Sequence, residues 1–247
     1  MSQIAELKVT MTPPKTSPVP PQLAAVLFPD TAMERVAKSG RFGAALALAV
    51  ACSLAVGGAE AWRVDAREPT LREAEMSGQL KNMSDKQLDD NTKAAERSFI
   101  VKRLAFSAVK APLIWVGSLL GLFVVAWFLR GRSLPGALPA VASAALLPHA
   151  FADLLSAGAA LQTPQLSPDH GPLIPRSLGA VLDAVGVHAP MAVAKLAGAV
   201  DFFSLWAALL LAFGLAPAAQ LPRGKAIAAT MVAWVLWRLV TQVALGG

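Results

Sequence analysis

The chain has 247 residues, 55% of them hydrophobic, with a mean hydropathy of +0.53, a formal net charge of +6 and a pI near 9.8. That apolar content exceeds what a water-soluble domain of this length carries, and it points to an integral membrane protein. The positive charges flank apolar runs instead of forming a basic, aromatic surface, which excludes nucleic acid as the partner; the single cysteine, Cys52, excludes a disulfide or a cysteine metal cluster within one copy.

Residues 1–21 carry Pro13, Pro14, Pro18, Pro20 and Pro21 and little apolar content, the composition of a flexible, disordered cytoplasmic tail. Asp30 or Thr31 is placed to cap a helix through Met33 and Val36, expected to lie at the membrane surface. Arg35, Lys38 and Arg41 precede a first span at 42–62 and put the N-terminus in the cytoplasm, since Lys and Arg favour cytoplasmic loops. Segment 63–110 holds ten Lys or Arg and eight Asp or Glu, a density that hydrocarbon does not accept, so it is expected in water as an extracytoplasmic helical hairpin. Pro69 suits the first turn of its first helix. Ser84-Asp85-Lys86-Gln87 has capping-box spacing for the second, which is expected to continue into span two.

Span two, 112–129, returns to the basic loop Arg130-Gly131-Arg132. Span three, 134–161, contains Pro135, Pro139 and Pro148 and is expected to be kinked or partly re-entrant, because a proline inside a helix removes a hydrogen bond. A proline-rich outer loop follows, with short helices expected at 177–185 and 191–200. Two further apolar runs, 202–219 and 226–243, are joined by Pro222-Arg223-Gly224-Lys225 and read as a transmembrane hairpin whose basic turn faces inside. The expectation is thus an all-α, polytopic membrane protein of five spans, N-terminus cytoplasmic and C-terminus outside.

Ionisable groups inside spans are costly and mark either function or a compensating pair. His149 and Asp153 are four apart and share a helix face. Arg238 lies thirteen residues beyond Lys225, at about the depth of Asp153 by helical rise, so an Asp153 to Arg238 ion pair is expected, with His149 beside it and Asp201 at the outer rim. The plain reading is that this intramembrane polar cluster pins spans together; the alternatives are a proton relay and a metal site, and two ligands on one helix do not complete a zinc shell. His170 and His188 sit in the outer loop. Gly117 and Gly121 in span two, and Gly43, Ala47 and Ala51 in span one, have the spacing of close helix contacts. No nucleophile, base and orienting acid stand at recognisable spacing, and no phosphate loop or dinucleotide fingerprint occurs, so no catalytic, cofactor-binding or metal residue is assigned.

Asp201, Ser204, Trp206, Gly214, Arg223, Gly224, Lys225, Ala226 and Trp234, with Pro148 and His149 in an earlier span, resemble the motifs of the Yip-domain family, five-span membrane proteins named for interaction with Ypt/Rab GTPases. The resemblance covers residues 22–247, with 63–110 looking like an insertion carried by bacterial relatives. The lack of tyrosine and the abundance of alanine also suit a GC-rich bacterial genome, hence the bacterial inner membrane. The resemblance implies a non-enzymatic accessory or interaction subunit without cofactors, whose partners beyond the lipid bilayer are an ABC permease of the macrolide-efflux type, a periplasmic adaptor or a second copy of the chain. The alternatives are a small proton-coupled transporter using His149, Asp153 and Arg238, and a membrane-shaping protein.

Overall fold

The computed structural model describes residues 20–27, 29–78, 83–187, 190, 197–198 and 200–244. Most of the tail expected at 1–21, His188, and most of the helix expected at 191–200 lie outside these residues. Ten helices are described: α1 Pro21–Leu27, α2 Pro29–Ser39, α3 Gly43–Arg63, α4 Arg67–Met76, α5 Asp85–Phe128, α6 Ala137–Ala144, α7 Leu147–Gln162, α8 Leu178–Ala184, α9 Phe202–Ala218 and α10 Arg223–Ala244. Among the described residues the only extended pairings are two isolated bridges, Val64 with Leu166 and Ser177 with Asp201.

Among the described residues four stretches are long and apolar enough to cross a membrane: α3, α5, α6 with α7, and residues 223–241 of α10. The apolar α9 is shorter, at 17 residues. The kink expected in the third stretch falls at Ala145 and Leu146, between α6 and α7, with Pro148 in the first turn of α7. That position suits proline, whose missing N–H has no intrahelical partner there.

The connections between these helices gather at two ends. At one, the turn after α5 bonds to the turn after α9: Arg132 N–H donates to the Ala219 carbonyl at 2.9 Å and Leu134 N–H to that of Ala218 at 3.0 Å. Arg223 pairs with Asp30 at the start of α2 and stands over the Phe213 ring, 5.1 Å from its centroid. Arg35, Lys38, Arg41, Arg130, Arg132 and Lys225 are exposed around this same end. At the other end, Leu166 N–H donates to Arg63 O and Asp65 N–H to Leu166 O, both at 2.8 Å, while Phe202 N–H donates to Arg176 O at 3.0 Å. Segment 163–177 is thereby a strap stitched to the exit of α3 and to the start of α9.

The main core joins α2, α6 and α9, where Met33, Val36, Leu138, Val141, Leu210 and Leu215 are fully buried. The apolar face of α2, the helix expected at the membrane surface, packs on α6 and α9. Small residues dominate because helices in lipid gain little from the hydrophobic effect and associate by close backbone approach: Ala137, Ala140, Ala142, Ala144 and Ala212 are all fully buried. Gly214 shows the limit. A Cβ there would stand 2.4 Å from a Val141 methyl carbon and 2.5 Å from Met33 Cε. By contrast a Cβ at Gly43, Gly117 or Gly121 would meet nothing within 4 Å, so this fold does not use the helix contacts their spacing suggested.

α5 has two halves with different surroundings. Its capping box forms as the spacing predicts: Gln87 N–H donates to Ser84 Oγ at 3.3 Å, and Ser84 N–H donates to Gln87 Oε1 at 2.8 Å. From that cap it runs unbroken for 44 residues through Pro112, about 66 Å at the usual helical rise and roughly twice a hydrocarbon core. α4 folds back against the polar first half, with Ala66 N–H donating to Glu96 at 3.4 Å. From Val101 onward Val101, Leu104, Leu113, Val116, Leu120, Phe123 and Trp127 are exposed at helical spacing, the outward stripe a helix presents to lipid. Gly214→Val is expected to lower the stability of the detergent-solubilised chain by about 1–3 kcal/mol through overpacking, with Gly117→Ala close to neutral; urea unfolding followed by tryptophan fluorescence measures both.

Candidate functional site

α3, α5 and α7 meet beneath the strap around ion pairs that link segments far apart in sequence. Glu60, near the end of α3, is 3% exposed and accepts from Arg103 of α5 through both Nε and Nη2, the second at 2.8 Å. About two turns deeper along α5, Lys110 Nζ donates to Asp153 Oδ1 of α7 at 2.6 Å. Arg176, from the strap, reaches the same oxygen at 3.4 Å and donates to Ser156 Oγ at 2.7 Å. Asp153 is itself 3% exposed. A carboxylate this buried persists only when paired and hydrogen-bonded, and here it lies between two cations.

These side chains line a cavity of about 410 Å³, together with Ser53, Ser107, Phe99, Phe106, His170 and the strap residues 168 and 171–173. The helices around it approach closely. A Cβ on Gly57 would fall 2.3 Å from Ser107 Oγ, so only glycine lets α3 and α5 run together at this level. Ser107 is buried, and Ser53 Oγ is buried without a hydrogen-bond partner.

The structure rearranges the cluster expected from sequence. His149 does stand beside Asp153, one turn away on α7, in a small recess with Lys110, Ala49 and Leu146. The expected Asp153 to Arg238 pair is corrected: Asp153 is held by Lys110 and Arg176, while Arg238 belongs to α10, which packs on α9 and on α5. Shared depth does not fix which way two helices face. Asp201 stands where α9 begins, bridged to Ser177 of the strap. Its carboxylate caps α9, accepting from Phe203 N–H at 2.9 Å, Ser204 N–H at 3.5 Å and Ser204 Oγ at 2.9 Å. The Asp201 to Ser204 motif is thus a helix N-terminus satisfying its own orphan donors.

Other motif residues serve the fold. Pro148 is fully buried at the kink, Trp206 packs against the main core, and Arg223 ties α10 to α2; Gly224 and Lys225 are exposed in the first turn of α10. His170 lines the cavity from the strap. Glu60, Arg103, Lys110 and Arg176 escape a reading by charge density. Charge density groups Arg103 and Lys110 with a water-exposed insertion, yet they turn inward. One signal was available: Glu60 is a lone carboxylate in the apolar run of α3, and such a group requires a cation nearby. Among the described residues no three His, Cys, Asp or Glu side chains come together as a metal site.

A family model of the Yip1 domain matches residues 24–245 of this chain. Comparison with curated proteins and with solved structures finds no match.

Asp153→Asn leaves two cations without their countercharge and is expected to cost about 3–5 kcal/mol of stability. Asp153→Leu combined with Lys110→Met and Arg176→Met is expected to recover most of that loss. Denaturation of the purified chain in mixed micelles measures both variants.

Proposed function

The chain belongs to the Yip1-domain family and is a multi-pass membrane protein, and from that premise we propose that it acts without catalysis, as an interaction subunit in the inner membrane of a bacterium. The observation that carries this reading is the length of α5, 44 residues beginning in a charged, water-compatible half covered by α4. A helix about twice as long as a hydrocarbon core is thick projects an arm out of it. On that arm Lys86, Asp89, Asp90, Lys93 and Arg97 are exposed, and Lys93 is tied to Asp89 at 2.6 Å. Such a surface suits a polar protein partner. Family resemblance makes an ABC permease or its periplasmic adaptor the first to test.

The same reading includes topology. Gathering of the exposed cations around the turns after α5 and α9 supports five spans, with that end in the cytoplasm and the arm outside. A reporter active only outside the cytoplasm is expected to work when fused after Gly78 and to fail when fused after Arg130. Transport through His149, Asp153 and Arg238 loses support, because the carboxylate of that trio is held by Lys110 and Arg176.

Reversing Lys86, Lys93 and Arg97 to Glu tests the arm directly. Mass spectrometry of the tagged chain purified from native membranes is expected to show a stoichiometric membrane partner with the wild type and its loss with the variant, at unchanged yield and detergent stability. Recovery of the wild-type chain alone, or of the partner with both proteins, would overturn the reading.

A further inference from the structure

The cavity beneath the strap has the chemistry of a phosphate site. Three cations line it, Arg103, Lys110 and Arg176, against two carboxylates, Glu60 and Asp153, which leaves one positive charge in excess. The carboxylates do not use up the donors. Arg103 spends its fork on Glu60, but Lys110 gives Asp153 one hydrogen bond and keeps two N–H groups, and the contacts of Arg176 to Ala152, Asp153 and Ser156 all run through Nη2. Ser53 supplies an independent observation: its side chain is completely buried, it lines the cavity, and its hydroxyl has no partner. Buried hydroxyls are ordinarily hydrogen-bonded, because leaving one unmatched is unfavourable. An anionic group in the cavity would offer acceptors to Ser53, Lys110 and Arg176, which all line it.

Shape narrows the class. A volume of about 410 Å³ falls within the range of small-molecule sites. One wall carries Phe99 and Phe106, and Phe106 is 53% exposed on α5 beside the outward stripe of Val109 and Leu113. The cavity therefore borders both the polar strap and the apolar outer surface. Ser53 lies ten residues before Arg63 at the end of α3, about 15 Å along the helix axis, so the space reaches inward from the level where lipid headgroups lie.

We propose that this cavity binds a phosphate group, with Arg176, Lys110 and Ser53 as its donors. Two sources share that chemistry, the headgroup of an anionic phospholipid entering past Phe106 and a free phosphate ester entering past the strap.

The test uses the full chain, delipidated in a neutral detergent and titrated separately with phosphatidylglycerol, phosphatidylcholine and glycerol phosphate, with binding read by native mass spectrometry and by shift in unfolding temperature. Saturable binding of phosphatidylglycerol in preference to phosphatidylcholine, weakened about ten-fold or more by Arg176→Gln and several-fold by Ser53→Ala, supports the site and assigns it to lipid. The same variant dependence for glycerol phosphate, without preference among lipids, supports the site and assigns it to a soluble ester. Ser53→Ala removes only an unmatched hydroxyl and keeps the fold; Arg176→Lys replaces Arg176→Gln if the latter does not yield monodisperse protein. No saturable binding to the folded wild type, or binding indifferent to both positions, overturns the proposal.

Discussion

One carboxylate in the bundle interior organises this molecule. Asp153 belongs to α7, yet its charge is balanced from α5 by Lys110 and from the strap by Arg176. A charge in a setting of low dielectric constant interacts strongly and is costly to leave alone, so each cation holds the segment that carries it. Glu60 and Arg103 repeat the device between α3 and α5. The two pairs together fix three helices and a loop against one another, and the absence of a side chain at Gly57 lets them close. The cavity follows from the same fact. Long charged side chains meet head to head and must keep their hydrogen-bonding geometry, so they do not fill space as alkyl groups do.

The opposite end of the bundle is held by different forces. There α2, α6 and α9 interlock through small and apolar groups, and the turns after α5 and α9 bond backbone to backbone. Family-motif residues concentrate in this scaffold. Gly214 lets α9 approach Val141 and Met33 and Arg223 reaches Asp30, while at the strap end Asp201 with Ser204 closes the start of α9. Each removes a steric or polar conflict that would otherwise arise where helices cross or begin. The motif accordingly describes how this fold is assembled, while the charged cavity lies among α3, α5, α7 and the strap.

α5 connects the two regions. Its outward stripe faces lipid, its inner face carries Arg103 and Lys110 to their partners, and its capped first half continues beyond the bundle with α4 against it. A continuous helix is stiff because its backbone hydrogen bonds are internal. Contact at the arm is therefore mechanically joined to the helix that forms one wall of the cavity.

Local chemistry was legible in the sequence. The apolar runs identified membrane helices, Ser84 with Gln87 marked the start of α5, Ser177 announced α8, and three prolines foretold the break between α6 and α7, because each effect acts within a few residues of its cause. Membership of the Yip1-domain family was legible for the same reason, resting on short motifs whose work is local capping and close approach. Only the tertiary structure decided which charges meet. Helical rise placed Asp153 and Arg238 at one depth, but depth leaves rotation about each helix axis free, and packing turned Asp153 toward Lys110 and Arg176. Charge density assigned Arg103 and Lys110 to water, while the buried carboxylates of Glu60 and Asp153 turn them inward and leave them half-buried. Composition establishes that charges near a membrane must be compensated; three-dimensional proximity alone determines by whom.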